Sequence, residues 1–430
     1  MLHIRRGEVP NHELAERMLI ESIDKGIKVS KNINLVINAY SEKYVRLARE
    51  IRLEYGIDNV NSTKQVKEYL LRVINTLPNS SELLYKFTEK NKISFNKNNL
   101  KYLYENEGLE VCKLIIEARR YQRIISSLRT FKDLAERNGR GCVYPTVTRG
   151  KTNRFNYVEP ALMNIAKEVL WYIIEARKKG NKLYSIDIKY QEPWTLVNML
   201  GIISLLEIMK EEPDFYKAVY RTVFNEDCPN DTYRNEIKTA WNAMSYGAYR
   251  DTIIDYCHHL DGGRIFDYFD NIPEYKAYKR DKIDRAKRRI LDDYTYFGTK
   301  VSAGEPWEFK RFGKQQTNRL ARVLSDIPIQ GTGSDILAFL LEQLNTMNDD
   351  LGTEGLIELY YTRHDELILE VDESLCHNRL EEIFTEYFTH SVDDWLPFKV
   401  KVSCLSDNDI ASFLNNLQNE EEEEEEDMYY

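Results

Sequence analysis

Two strand-like segments interrupt a sequence whose hydrophobic periodicity is otherwise helical, and each carries an acid at its end or corner. Leu183 to Ile188 is a short apolar strand ending on Asp187. Leu356 to Val371 is a hairpin: Ile357, Leu359 and Tyr361 alternate before the corner Arg363-His364-Asp365-Glu366, and Leu367, Leu369 and Val371 alternate after it. An ionised carboxylate among such neighbours needs a compensating cation. Carboxylate oxygens with few other protein ligands suit Mg²⁺, which keeps waters and recruits substrate phosphates. Taken singly, each acid also fits the ordinary preference of Asp for turns and caps. The rest of the pattern decides for a metal.

Helices are expected elsewhere. Leu14, Met18, Ile20 and Ile23 define a run closing at Gly26, and a second run from Ile33 to Tyr55 closes at Gly56, so the two read as an antiparallel pair. Asn61-Ser62-Thr63 caps a helix carrying Val66, Tyr69 and Leu70. A long helical stretch covers roughly Asn98 to Leu134, and Cys142 to Thr148 is β-rich. After Ile188 the helical pattern returns through Glu211, again from Asp231 to about Tyr249, and on to Asp293.

Net charge misleads in this chain. Its 430 residues carry 60 Lys plus Arg against 70 Asp plus Glu, a net −10 that argues against nucleic acid. Eight of those acids are consecutive, from Glu420 to Asp427, which leaves −2 for the rest. The basic residues are clumped, +8 from Lys113 to Arg154 and +8 from Tyr275 to Arg322. Such clumps suit a phosphate backbone or, equally, solvated helix faces laced with ion pairs. The acidic segment cannot bury enough apolar surface to fold, and its simpler reading is a solvating tail. The alternative is a peptide that docks on a basic partner or on a basic surface of the chain itself. Six scattered cysteines without a CxxC favour a reducing compartment. Cys257-His258-His259 points its side chains different ways and is not expected to bind metal. No apolar run approaches the ~18 residues of a membrane span, and no targeting signal is visible, so a cytoplasmic location is expected.

Between the two acids, Arg234, Lys238 and Asn242 fall at i, i+4 and i+8 on one helix, with Tyr246-Gly247 a turn further on. A cationic ridge ending in an aromatic can hold a triphosphate with its charges and a sugar with its ring. An amphipathic solvent helix is the plainer alternative, but Trp241, Met244 and Tyr246 beside the charges argue against it.

Over roughly residues 11 to 410 the arrangement resembles the polymerase domain of family A DNA polymerases. Ser185-Ile186-Asp187-Ile188-Lys189-Tyr190-Gln191-Glu192 resembles motif A, Arg234 through Lys238 to Tyr246-Gly247 resembles motif B, and His364-Asp365-Glu366 resembles motif C, in the family's order. Thr152-Asn153-Arg154-Phe155 through Asn164-Ile165 is similar to the family's primer-contact segment, and Arg322 through Pro328-Ile329-Gln330-Gly331-Thr332 to the stretch entering the palm helix. Asn59 to Gln65 resembles the thumb signature and Arg119 to Ser127 its DNA-gripping helix, while Tyr216 falls where the family has a nucleotide-contacting His. Asn242 stands where the family carries Phe or Tyr, Asp326 where it carries Asn, and Arg363 where it carries an apolar residue.

The resemblance implies an α+β, mostly α, right-hand fold with a thumb, a palm built on a small antiparallel sheet, and helical fingers. It implies a thumb with its N-terminal segment over 1–137, palm over 138–200 and 291–417, fingers over 201–290, and a disordered tail over 418–430. The implied activity is template-directed addition of dNTPs to a primer 3′-OH with two Mg²⁺ ions, or Mn²⁺ in their place. Asp187, Asp365 and the Ile188 carbonyl would bind metal, with Glu366 in support and Lys238 protonating the leaving group. Arg234, Lys238, Tyr246, Glu192, Tyr216 and Asn242 would meet the nucleotide, with Glu192 excluding the ribose 2′-OH. Arg154, His364, Gln330, Arg322, Asn164, Arg119 and Arg123 would contact primer-template DNA, and the acidic segment Glu420 to Asp427 would meet a replisome or processivity partner or compete with that DNA for the groove. The thumb match begins near residue 11, so no separate 3′–5′ exonuclease domain and no proofreading are expected. That pared-down architecture suggests a phage- or plasmid-type enzyme working in a bacterial cytoplasm. The alternatives are a single-subunit RNA polymerase, which Glu192 argues against, and a catalytically inactive DNA-holding subunit.

Overall fold

The computed structural model describes residues 7–89, 92–305, 308, 314–375, 379–389, 399–406 and 409–419. Helices dominate, and the strands form small antiparallel sheets. The chain divides into two compact units: residues 1–26, 144–163 and 176–406 make the larger, and residues 27–143, 164–175 and 407–430 the smaller.

In the smaller unit the helix Ile33–Tyr55 packs along the helix Glu110–Arg137. Their seam buries Ile51 and Ile115, and the core continues through Val66, Leu70, Leu100 and Leu103. The Ser62 hydroxyl accepts the Gln65 N–H at 3.3 Å and starts the helix Thr63–Ile74, as its capping pattern predicts. The stretch expected as one helix from Asn98 is two, Lys97–Glu107 and Glu110–Arg137. Gly108 breaks it by adopting φ +65, a left-handed conformation that costs glycine nothing and that ends the first helix.

The β-rich stretch is also divided. Cys142–Val143 joins Ile27–Val29 and Ile174–Glu175 in a three-stranded sheet of the smaller unit, whereas Thr146–Arg149 pairs with Phe155–Val158 in the larger.

The larger unit is organised by a four-stranded antiparallel sheet, in the order Ile357–Arg363, Glu366–Val371, Lys182–Ile188, Val400–Cys404. The hairpin closes at the expected corner, Arg363 opposite Glu366, with a bulge between Leu359 and Tyr361. The helix Lys314–Leu351 buries Ile329, Ile336, Leu340 and Leu344 in the same core as the sheet's Ile186, Leu367 and Leu369.

The first helix, His12–Asp24, does not pair with the second as expected. Its contacts are to the strand Ile357–Arg363 and the helix Lys314–Leu351, because its buried polar groups find partners there. His12 Nε2 lies 2.7 Å from Asp335 Oδ1, and the Ser22 hydroxyl donates to the Tyr360 carbonyl at 2.8 Å. The expected 1–137 segment is therefore not one unit. At the other end the helix Ile410–Asn419, partly assigned to the palm and partly to the tail, groups with the smaller unit, where Phe413 stacks on Tyr172 at 4.2 Å. Residues 420–430 of the tail, and Cys376, lie outside the described residues. Among the described residues the cysteines form no disulfide, and no helix is long and apolar enough to cross a membrane.

One buried cation anchors the sheet and was not legible in the sequence. Arg177 donates through Nε to the Gly26 carbonyl at 2.8 Å and through Nη2 to the carbonyls of Ser22 and Tyr360 at 2.8 and 3.1 Å. It stacks on the Tyr360 ring at 4.3 Å and pairs with Glu370, whose side chain is 2% exposed. Arg177→Met would leave the buried Glu370 carboxylate with the Lys178 N–H and Asn181 Nδ2 but without its cation, and is expected to cost about 3 kcal/mol in urea unfolding, with partial recovery when Glu370→Leu is added. A loss under 1 kcal/mol would contradict this account.

Candidate active site

Sheet register creates the acidic centre. Asp187, the penultimate residue of its strand, stands opposite Glu366 on one side and Lys401 on the other. The next residue, Ile188, donates its N–H to the Asp365 carbonyl at 3.2 Å. Asp365 and Asp187, 178 positions apart in the chain, thus come from neighbouring strand ends. His364 turns the corner with φ +55. Glu366 is buried and accepts a short hydrogen bond from the Ser185 hydroxyl.

The carboxyl of Asp365 is pushed up to about 6, first by burial and then by the charge of Asp187, with Glu192 adding to the effect and Arg154 opposing it. A half-buried carboxyl whose proton affinity is raised by a neighbouring acid marks a site short of positive charge, which fits a divalent cation. Among the described residues no group of three or more His, Cys, Asp or Glu side chains is arranged to hold a metal. A donor set of two carboxylates would leave the remaining positions of a divalent ion to water and substrate oxygens.

The helix Asp231–Ser245 carries the cationic ridge. Arg234 is held by Asp214, Nε to Oδ2 at 2.6 Å, and lies over the Tyr216 ring at 5.3 Å. Asp214 also caps the helix Phe215–Phe224, accepting the Lys217 N–H at 3.0 Å. The cap is readable from sequence, but the use of its second oxygen is not. Tyr216 is 3% exposed, packs edge-on against Tyr190 at 5.4 Å and carries Arg234 over its ring. Lys238 is exposed one turn on, without an ion-pair partner among the described residues. The Asn242 side-chain oxygen, one further turn along, is buried without a hydrogen-bond partner among the described residues.

At the end of that helix Tyr246, Glu192 and Gln330 form one cluster. The Tyr246 hydroxyl donates a short hydrogen bond to Glu192, and Gln330 Nε2 donates to Glu192 at 3.1 Å and to the Tyr246 oxygen. Gly247 follows at φ +75, and a Cβ there would stand 3.2 Å from the Ser325 hydroxyl and 3.7 Å from Arg322 Cγ, so the turn needs glycine for both conformation and space. Gln191, which sequence reasoning passed over, is buried and accepts from Arg154 Nη2 at 3.3 Å. A Cβ on Gly333 would come within 2.6 Å of the Gln191 amide nitrogen, so that glycine makes room for the side chain that steadies Arg154. Asn164 and the helix residues Arg119 and Arg123 belong to the smaller unit. His258 and His259 donate their backbone N–H groups to Glu236 at 3.1 Å, and His259 Nδ1 lies 2.6 Å from the same carboxylate.

Asp326 sits one helical turn before Gln330, and burial pushes its carboxyl up to about 6, with Glu192 adding and Arg154 opposing. A raised acid contributes stability that is fully present below about pH 4 and lost as pH rises through 6. Asp326→Asn is therefore expected to stabilise the fold at pH 8 by up to about 3 kcal/mol and to change nothing below pH 4. Equal denaturant midpoints for the two proteins at pH 8 would contradict it.

The model of DNA polymerase family A matches residues 30–408. The chain belongs to DNA polymerase family A. It is a DNA-directed DNA polymerase. Among solved structures it is similar to the polymerase domain of Pol1 from M. smegmatis, determined in complex with DNA primer-template and dNTP. The TM-score is 0.74 at 20% identity, over 91% of this chain and 69% of the other, a likeness of fold. No curated protein matches the sequence. The mostly helical polymerase with small antiparallel sheets thus has the fold class that its motifs imply.

Proposed function

We propose that this polymerase extends a primer 3′-OH with deoxynucleotides by two-metal nucleotidyl transfer. The observation that carries the reading is the register that brings Asp187 and Asp365 to neighbouring strand ends, with the Asp365 carboxyl already short of positive charge. Asp187, Asp365 and the Ile188 carbonyl would hold two Mg²⁺ ions, or Mn²⁺ in their place. Ions bound there would lower the pKa of the primer 3′-OH and offset charge on the leaving pyrophosphate.

The chain's own residues do the positioning. Arg234, steadied by Asp214 and Tyr216, would take the γ-phosphate, and the exposed Lys238 would reach the leaving group and give it a proton. Glu192, tied to Tyr246 and Gln330, would fill the space a ribose 2′-OH needs. Arg154 and His364 would hold the primer end, Arg322, Gln330 and Asn164 the primer-template, and Arg119 and Arg123 the duplex. In this reading the palm comprises 144–163, 176–200 and 291–406 of the larger unit, the fingers 201–290, and the thumb the segment through 137 without its first 26 residues. Asp133 and Glu136 lie within the helix Glu110–Arg137, where Glu136 pairs with Lys132 at 2.8 Å, and are assigned to its surface, not to an exonuclease centre.

Gel-resolved primer extension with dNTPs and rNTPs in parallel tests the reading. Faster extension with dNTPs is expected. Faster extension with rNTPs would favour an RNA polymerase, and duplex binding without any extension would favour an inactive DNA-holding subunit.

A further inference from the structure

The smaller unit contains a pocket of about 460 Å³ whose lining includes three cations, Lys97, Arg119 and Arg123, beside the apolar Leu100 and Ile116, and no carboxylate. Neighbouring cations on the same helix are paired, Arg120 with Glu168 at 2.8 Å and Lys132 with Glu136 at 2.8 Å. None of the three pocket cations has an acidic partner among the described residues. Arg119 is fixed by its Nε–H to the Val60 carbonyl at 3.0 Å, and burial lowers its pKa, the cost of a cation held without an acid.

The chain also holds the complementary charge. Glu420 to Asp427 are eight consecutive acids, and they follow directly on the helix Ile410–Asn419, which packs on the helix Ile33–Tyr55 of this same unit. Eleven residues reach at most about 40 Å when extended. The 28-residue helix that carries Arg119 and Arg123 is itself about 42 Å long, and the pocket lies near its middle.

We propose that the acidic segment Glu420–Asp427 occupies the Lys97–Arg119–Arg123 pocket in cis, as an internal competitor of the DNA backbone. The competition rests on the proposed DNA grip of Arg119 and Arg123, whereas the docking of the tail does not. Tethering gives the segment an effective concentration near millimolar, so even a contact with a dissociation constant of about 100 µM would be mostly formed and would weaken DNA binding about tenfold. The effect is electrostatic and fades with salt.

Two measurements separate the parts of the proposal. First, a fluorescent peptide of residues 420–430, added without DNA to protein lacking those residues, is expected to bind. It should lose most of that binding to a Lys97→Gln/Arg119→Gln/Arg123→Gln variant whose circular dichroism matches the parent. Should that variant misfold, carbodiimide cross-linking of the full chain is expected to join tail glutamates to Lys97 within one molecule. No peptide binding, equal binding to the triple variant, or cross-links only between molecules would overturn the docking. Second, removing residues 420–430, or replacing the eight acids by their amides, should tighten duplex binding about tenfold at 50 mM salt and by little at 300 mM. Unchanged DNA affinity in the presence of peptide docking would overturn the competition and, with it, the shared use of the pocket by DNA.

Discussion

Asp365→Asn and Asp187→Asn are each expected to stop primer extension, lowering the single-turnover rate by about 10³-fold or more, which corresponds to roughly 4 kcal/mol of transition-state stabilisation. The substitutions are nearly isosteric, so the sheet register that joins Ile188 to the Asp365 carbonyl survives. What changes is charge. The pair loses one of the two negative groups whose mutual repulsion and burial push Asp365 up to about 6, and with it the attraction for a divalent ion. Duplex affinity should stay within a few-fold of the parent, since neither aspartate is itself among the residues proposed to contact DNA. Rates within tenfold of the parent, for either variant, would remove these acids from the metal site. Asp326→Asn is the matched control: a buried acid also raised to about 6, but not one of the proposed metal ligands, so its extension rate should persist.

Glu192→Ala is expected to open the polymerase to ribonucleotides, reducing discrimination between dNTP and rNTP by about 10²-fold. Glu192 is held by two donors, the Tyr246 hydroxyl and the Gln330 amide, so its carboxylate is pre-set and does not swing aside when a 2′-OH approaches. Tyr246→Phe removes one donor and keeps the ring. It should relax discrimination by about tenfold, the worth of one hydrogen bond to a charged group. Ratios of kcat/KM for matched dNTP and rNTP measure both effects. An unchanged ratio in Glu192→Ala would exclude the residue as the gate.

What could be read from the sequence was local. The hairpin corner at Arg363 to Glu366 follows from alternation on both sides, and the end of the second helix from Gly56. The ridge of Arg234, Lys238 and Asn242 follows from helical spacing alone. The two aspartates stood out because acids at the ends of apolar strands are costly, although their nearness is a matter of register between strands far apart in the chain. Contacts that cross such distances had no sequence signal. Arg177, which holds the first helix and the sheet together, carries no motif or spacing that singles it out. Gln191 and Asp214 act through a second partner, which no spacing encodes. The packing of Tyr216 against Tyr190 and beneath Arg234 likewise has no signal in the sequence. The first helix was paired with its chain neighbour because its own periodicity cannot say which apolar face it will meet. The buried partners of His12 and Ser22 decided that.

The central claim is that this chain copies a template into DNA, and single-nucleotide incorporation tests it most directly. Purified protein, Mg²⁺, and one primer annealed to four templates that differ only in the first unpaired base would be supplied with each dNTP in turn. The account predicts that the complementary dNTP is added in each case, and that changing the template base changes the nucleotide accepted. Addition that ignores the template base, or no addition with Mg²⁺ or Mn²⁺ on any template, would contradict it.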